Sequence, residues 1–315
     1  MSTLGATLAG VLPILLLIAL GVLLRQLKVL DDHTVEGFKK LVVNVVLPAV
    51  LFLAFLGLEF QREYLAVVVL VPGLCLLLLA VGYLVPRLLK APPVAPFLFT
   101  GFEFGMVGLA LFTAAYGLEH APAAAIVGLG HEFFIWFVFV TLLKRQSDGA
   151  VSLGETVRSF VTSPVIVAIF AGLLLNLAGL GSFLEENALT GALLAVASHL
   201  AAMIVPLILI VVGHGSRLTR DGVRQAAPFV AVRFVVCLAL ALLASWGAGA
   251  WLGLGAPVQA ALFMLFILPP PFIVPLFLPA RRGGEITFAN NVLSLYTLLS
   301  IVAFIGHVIA VPVVR

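Results

Sequence analysis

Ten runs of apolar residues follow one another along the 315-residue chain, near 5–25, 35–57, 64–86, 93–117, 119–143, 161–181, 188–213, 225–253, 256–280 and 285–313. Short charged or Gly/Pro-rich segments separate them. A helix rising 1.5 Å per residue needs about 20 apolar residues to cross the hydrocarbon of a bilayer. The pattern therefore predicts ten transmembrane helices. Two of the runs are interrupted near their centres. The fourth contains TGFEFGMVGLAL (Thr100 to Leu111), with three glycines, and the ninth contains FILPPPFIVPLF (Phe266 to Phe277), with four prolines and no charge. Proline removes a backbone donor and clashes with the preceding turn, and glycine lets the chain leave helical dihedrals. One outcome is a kink repaired by neighbouring groups. Three consecutive prolines, Pro269, Pro270 and Pro271, favour a true unwinding. Unwound backbone is tolerated at membrane depth only when it is buried in protein or lines a wet cavity.

The few charges fit this reading. The chain is 63% hydrophobic and 10% charged, against about 25% charged in soluble domains, and its mean hydropathy is +1.25. Arg25, Lys28, Lys39, Lys40, Arg87, Lys90, Lys144, Arg145, Arg158, Arg217, Arg220, Arg224, Arg281 and Arg282 lie in or beside odd-numbered connections. These are 14 of the 17 basic residues. The even connections carry Glu59 and Glu63 with Arg62, then Glu119, then Glu185 and Glu186. The positive-inside rule places the odd connections in the cytoplasm and both termini outside, in the cell (inner) membrane. The apolar run of Met1 to Leu24 has no basic residue before it, so a retained first span is expected rather than a signal peptide. A net charge of +3 gives no case for nucleic acid. Cys75 and Cys237 lie within apolar runs and read as packing residues.

The halves of the chain resemble each other weakly. CLLLLA at 75–80 recurs as CLALAL at 237–242, Arg62 pairs with Arg224 at the same offset of 162, Pro93-Val94 pairs with Pro257-Val258 at 164, and Glu119 pairs with Glu285 at 166. Each match is short, but their order and slowly drifting offset define a repeat. The units are 1–146, a cytoplasmic connection at 147–160, and 161–315. Five spans is an odd number, so the second unit enters the membrane from the opposite side. The expected fold is an all-α membrane protein of ten helices in two inverted five-helix repeats. Secondary transporters use this plan, with the substrate near the midplane on discontinuous helices. An offset of 164 carries Pro269 onto Gly105, so the breaks in spans four and nine are repeat equivalents expected to meet.

Several stretches resemble the auxin efflux carriers and their bacterial relatives, which are related to the bile-acid transporter type. They are LPILLLIALGVLLRQLKVL (Leu12 to Leu30), KLVVNVVLPAVLF (Lys40 to Phe52) with Asn44 and Pro48 in an Asn-x-x-x-Pro pattern, EFGMVGLALFTAAYG (Glu103 to Gly117) and NVLSLYTLLSI (Asn291 to Ile301). The resemblance covers nearly the whole chain. It implies broken fourth and ninth helices that cross at the substrate site, a scaffold of the first, second, sixth and seventh helices, and transport of a small carboxylate such as malate, malonate or an auxin. The short fifth connection looks bacterial. Glu103 stands where the family usually has asparagine, ahead of Gly105 and Gly108, and Ala110 replaces a proline.

Glu103, His131, Glu132, His199 and Arg233 fall about 9 to 13 residues into their spans, roughly 14 to 20 Å deep at 1.5 Å per residue. Ionisable groups at that depth usually face the protein interior or a cavity. The candidate substrate-binding residues are Asn44, Glu103, Gly105, His131, His199, Pro269, Pro270, Pro271 and Ser294, and the candidate ion-coupling residues are Glu103, Glu132 and Arg233. A carboxyl group deprived of water favours its neutral form, and neutral Glu103 can donate a hydrogen bond to an anion or release a proton. The competing structural readings are a Glu132–Arg233 ion pair, histidines that only pack, and Ser294 and Thr297 capping carbonyls of their own helix. The second halves of the broken helices would present N-termini that suit an anion, while the carbonyl ends of the first halves suit a cation.

These features point to a secondary carrier of a small organic anion, proton-linked through Glu103 and working by alternating access. The alternatives are a sodium-coupled carrier of the bile-acid type, a carrier of a neutral or cationic metabolite, and a channel. No paired catalytic motif, nucleotide-binding loop or metal-spaced cluster marks an enzyme, and no cofactor is expected. The expected partners are the anion, the lipid bilayer and a second copy of the chain through scaffold helices.

Overall fold

The computed structural model describes residues 3–59, 61–89, 91–148, 153–215 and 220–311. Among them every regular element is helical. Seven helices are long and apolar enough to cross a membrane: Asp32–Leu56, Glu63–Leu84, Ala95–Tyr116, Leu118–Leu143, Ala188–Gly215, Arg220–Ala250 and Gly283–Ala310. Of three shorter apolar helices, Leu12–Gln26 precedes them, and Pro164–Leu177 and Ala256–Ile267 stand between them in the chain. By length and composition this is a multi-pass membrane protein. The outward faces of the helices keep large apolar side chains exposed, among them Leu16, Val69, Leu189, Leu243 and Val302, as a hydrocarbon solvent requires.

The helices pack in a regular exchange of partners. Thr3–Gln26 lies against Ile204–Gly215, and the Leu47–Leu56 half of the second helix lies against Pro164–Leu177. Glu63–Leu89 packs on Ala121–Phe134, and Arg220–Ala250 packs on Gly283–Ala310. The short Ala95–Phe99 helix leans on Glu63–Leu89, as Ala256–Ile267 leans on Arg220–Ala250. Where the first helix meets Ile204–Gly215, Gly21 faces the carbonyl of Ile210 and Gly213 faces that of Ile18, leaving no room for a side chain on either. Small residues of this kind let membrane helices approach backbone to backbone, where dispersion replaces the hydrophobic effect as the attraction.

Several expected spans are less regular than their hydropathy implies, and proline explains two cases. In the second helix a π turn at Val42–Val46 precedes Pro48, which has no N–H to offer the Asn44 carbonyl one turn back. The run at 188–213 divides into Ala188–Ala202 and Ile204–Gly215 because Pro206 leaves the Ala202 carbonyl without its helical donor. The fifth run contains a further π turn at Ile135–Phe139. The connection at 147–160 is not simply a loop, since Leu153–Val161 is helical. Lys90 and Arg217, two charges used to assign sidedness, lie outside the described residues.

The fourth run is helical at Ala95–Phe99, irregular from Thr100 to Glu103, a π turn at Phe104–Gly108 and helical again at Leu109–Tyr116. The ninth runs as Ala256–Ile267, then loses helical form at Leu268 and continues only as short 3-10 turns at Val274–Phe277 and Ala280–Arg282. This corrects one expectation. The ninth run has no α-helical second half, so it presents no helix N-terminus at its break. A proline at 271 and another at 275 space the missing donors four apart, which prevents an α-helix from restarting between them.

Candidate functional site

Unwound backbone buried away from water must find a partner for each N–H and C=O. At Thr100–Glu103 and Leu268–Phe272 two of those bonds run from one break to the other. The Glu103 N–H donates to the Pro269 carbonyl at 2.9 Å. In return the Glu103 carboxyl group accepts from the Phe272 N–H at 2.7 Å. The two breaks therefore cross in contact, joined by one residue that donates through its backbone and accepts through its side chain.

The remaining groups of the fourth-run break are satisfied from surrounding helices. Phe102 donates its N–H to His131 Nε2 at 3.0 Å, and its carbonyl accepts from Phe104 N–H at 2.9 Å. The Thr100 hydroxyl reaches back to the Cys75 carbonyl at 2.7 Å. Gly101 has φ +69°, a left-handed conformation that costs a side-chain-bearing residue about 1–2 kcal/mol. A Cβ there would lie 3.0 Å from Pro271 Cγ. The glycine thus supplies both the turn and the close approach of the two breaks.

Proline dominates the other break. Pro269, Pro270 and Pro271 have no N–H, so this segment contributes acceptors with few donors. Three groups supply what is missing. The Ser300 hydroxyl donates to the Ile267 carbonyl at 2.7 Å, the Glu103 N–H serves Pro269, and Arg233 serves Leu268 at 3.1 Å. Arg233 also donates to the Gly101 carbonyl at 3.3 Å, bridging both breaks. Its guanidinium carbon sits 4.0 Å over the Tyr296 ring and 5.3 Å from that of Phe102, and the residue is 0% exposed. Cation–π contacts of a desolvated guanidinium are worth about 2 kcal/mol. Among the described residues no carboxylate forms an ion pair with it.

This arrangement does not contain the Glu132–Arg233 ion pair that stood as the competing structural reading. Glu132 accepts instead from Trp136 Nε1 at 3.1 Å and faces His131 Nδ1 at 3.9 Å. Because His131 Nε2 accepts the Phe102 N–H, the neutral ring must hold its proton on Nδ1, on the side of Glu132. His131 therefore pins the break rather than standing free to bind. His199 is exposed on Ala188–Ala202 and, among the described residues, makes no hydrogen bond to either break. Asn44 is exposed, and its amide donates to the Lys40 carbonyl at 2.8 Å. The turn that carries Asn44 packs against the Phe104–Gly108 turn, and Gly105 lies close to Leu47. Ser294 is half-buried on the last helix, two turns from Ser300, which makes the contact with the break. Thr297 caps the Leu293 carbonyl of its own helix at 2.7 Å. Pro269 and Pro271 join the crossing directly, and Pro270 is buried between them.

The site is closed. Glu103 is 8% exposed, and none of the crossing residues lines the open cavity of about 290 Å³ bounded by Val50, Leu53, Glu119, Pro122 and Ser198. Among the described residues no cluster of His, Cys, Asp or Glu could hold a metal ion. The crossing offers one carboxyl group, one fixed positive charge and several carbonyls held where helices end. These groups suit electrostatic selection and proton exchange. Comparison with protein-family models and with characterised proteins gives no match.

Proposed function

We propose that the protein is a secondary carrier of a small organic anion, working by alternating access and linked to protons through Glu103. The observation that carries this reading is the reciprocal bonding of two unwound segments through Glu103. Irregular backbone is expensive within a membrane, and transporters use discontinuous helices of this kind to hold substrate near the midplane. A residue that bonds to the opposite segment through both its backbone and its side chain gives a substrate one place to act on both.

The reading includes ten spans in two inverted repeats, the seven long helices and three shorter ones standing for the ten runs. The exchange of packing partners supports it. Inversion relates the first helix to the sixth and the second to the seventh, so contact of first with seventh requires contact of second with sixth. It likewise pairs third with fifth and eighth with tenth. Those are the observed neighbours. The resemblance of Lys40 to Phe52 and Glu103 to Gly117 to the auxin efflux carriers points to the same plan and to a carboxylate substrate. In that scheme the odd connections lie in the cytoplasm and both termini outside.

Mechanistically, ionised Glu103 repels an anion and is held by Phe272. Protonation removes the repulsion, and an arriving carboxylate accepts a hydrogen bond from the neutral acid. A proton then accompanies each productive binding event. The test is uptake of malate, malonate and indole-3-acetate into proteoliposomes with and without a pH gradient. Saturable, gradient-driven uptake that Glu103→Gln uncouples supports the reading. Flux and pH dependence unchanged in Glu103→Gln would remove Glu103 from coupling, and no uptake of any anion would turn attention to neutral or cationic substrates.

A further inference from the structure

The carbonyl-rich side of the crossing holds a positive charge with no acidic partner among the described residues. Gly101 follows the end of Ala95–Phe99, and Leu268 follows the end of Ala256–Ile267, so both carbonyls lie where helix dipoles leave partial negative charge. Backbone carbonyl oxygens of this kind are usual ligands of a bound monovalent cation, and this pair would supply part of its shell. Here the guanidinium of Arg233 donates to both. Arginine stays charged at any accessible pH and carries only donors, which matches an environment from which three prolines have deleted N–H groups. The rings of Phe102 and Tyr296 cover the guanidinium, so it acts on the crossing and not directly on a substrate.

We propose that Arg233 is a tethered cation: it fills the carbonyl cluster where the two breaks meet, in the place a mobile coupling ion would hold, and loss of its charge opens that cluster to a free monovalent cation. On the carrier reading of this site, the consequence is transport independent of sodium. A charge fixed to the chain returns with every cycle and draws on no ion gradient, which leaves the proton on Glu103 as the exchangeable charge. Arg233 is thus a positioning residue.

The experiment is thermal unfolding of the purified full-length protein in detergent, in choline chloride, sodium chloride, or choline chloride with added low-millimolar guanidinium chloride. Wild type should unfold at the same temperature in choline and sodium. Arg233→Ala should lose about 5 °C or more in choline, since two carbonyls lose a charged donor, and sodium or guanidinium should restore at least half of that loss along a saturating curve. Arg233→Gln, which keeps a donor but not the charge, carries the same expectation if the alanine variant does not fold. Arg233→Lys should show little response to added ions. Saturable stabilisation of wild type by sodium would overturn the proposal, as would neutral variants that no cation restores. Flux separates this result from the carrier reading: wild-type uptake should persist when choline replaces sodium, whereas wild-type vesicles that take up no anion would count against the carrier and leave the unfolding result standing.

Discussion

The two interrupted segments solve one problem by opposite chemistry. At Thr100–Glu103 the chain turns on glycine and keeps its donors, which it gives to His131 and to the opposite segment. At Leu268–Phe272 it turns on proline, deletes three donors and collects hydrogen bonds from Ser300, Glu103 and Arg233. A donor-bearing break faces an acceptor-rich one. Two identical breaks would have left either unmatched N–H groups or unmatched carbonyls, so the difference between the two segments is what allows the crossing to close. It also explains why only the fourth run resumes as helix, because its residues after Glu103 have free N–H groups and those after Pro271 meet Pro275.

The comparison can be broken most severely at Gly101. Gly101→Ala must hold a left-handed φ and push against Pro271, costing about 3 kcal/mol from strain and overpacking together. Chemical unfolding in detergent should show the loss, and an unchanged midpoint would mean the breaks can separate freely. Next is Glu103. Glu103→Ala strands the partly buried Phe272 N–H at a cost of about 1–2 kcal/mol. Glu103→Gln keeps an acceptor there and should lie close to wild type in stability. If both variants unfold alike, the carboxyl group does not hold the crossing.

Much of this architecture was legible in the sequence. Hydropathy marked the helices because lipid demands long apolar runs, and the glycine and proline clusters marked both breaks because those residues act on their own backbone. Side-chain partners were less legible. A Glu132–Arg233 pair was the structural alternative, since opposite charges at similar depth suggest one, yet Arg233 bonds to carbonyls. Counting the N–H groups that three prolines remove would have pointed to a donor-only partner. His199 was assigned inward by depth alone, which says nothing about the face of a helix. Ser300 was passed over for Ser294, although only Ser300 touches Ile267.

Two smaller effects sharpen the contrast. Ser300→Ala should cost about 1 kcal/mol, because one neutral hydrogen bond to the proline-rich break is lost, and the loss should be additive with Asp31→Ala at a distant helix start. Asp31 caps Asp32–Leu41 by accepting the Thr34 N–H at 2.7 Å, and that bond holds its carboxyl below the ordinary value of 3.8. A lowered carboxylate value means the cap contributes fully above that ordinary value and fades as pH falls through the folded one. Asp31→Ala should therefore be slightly less stable than wild type at neutral pH, with the gap closing in strong acid. A gap that widened on acidification would contradict the cap.

The central claim is that the crossing serves a carrier that alternates its exposure. Counterflow tests it most directly, with labelled malonate outside proteoliposomes and unlabelled malonate inside. The account predicts that internal substrate accelerates uptake of label, that the rate saturates with external concentration, and that Gly101→Ala lowers both. Uptake that rises linearly and ignores internal substrate would describe a channel and contradict it.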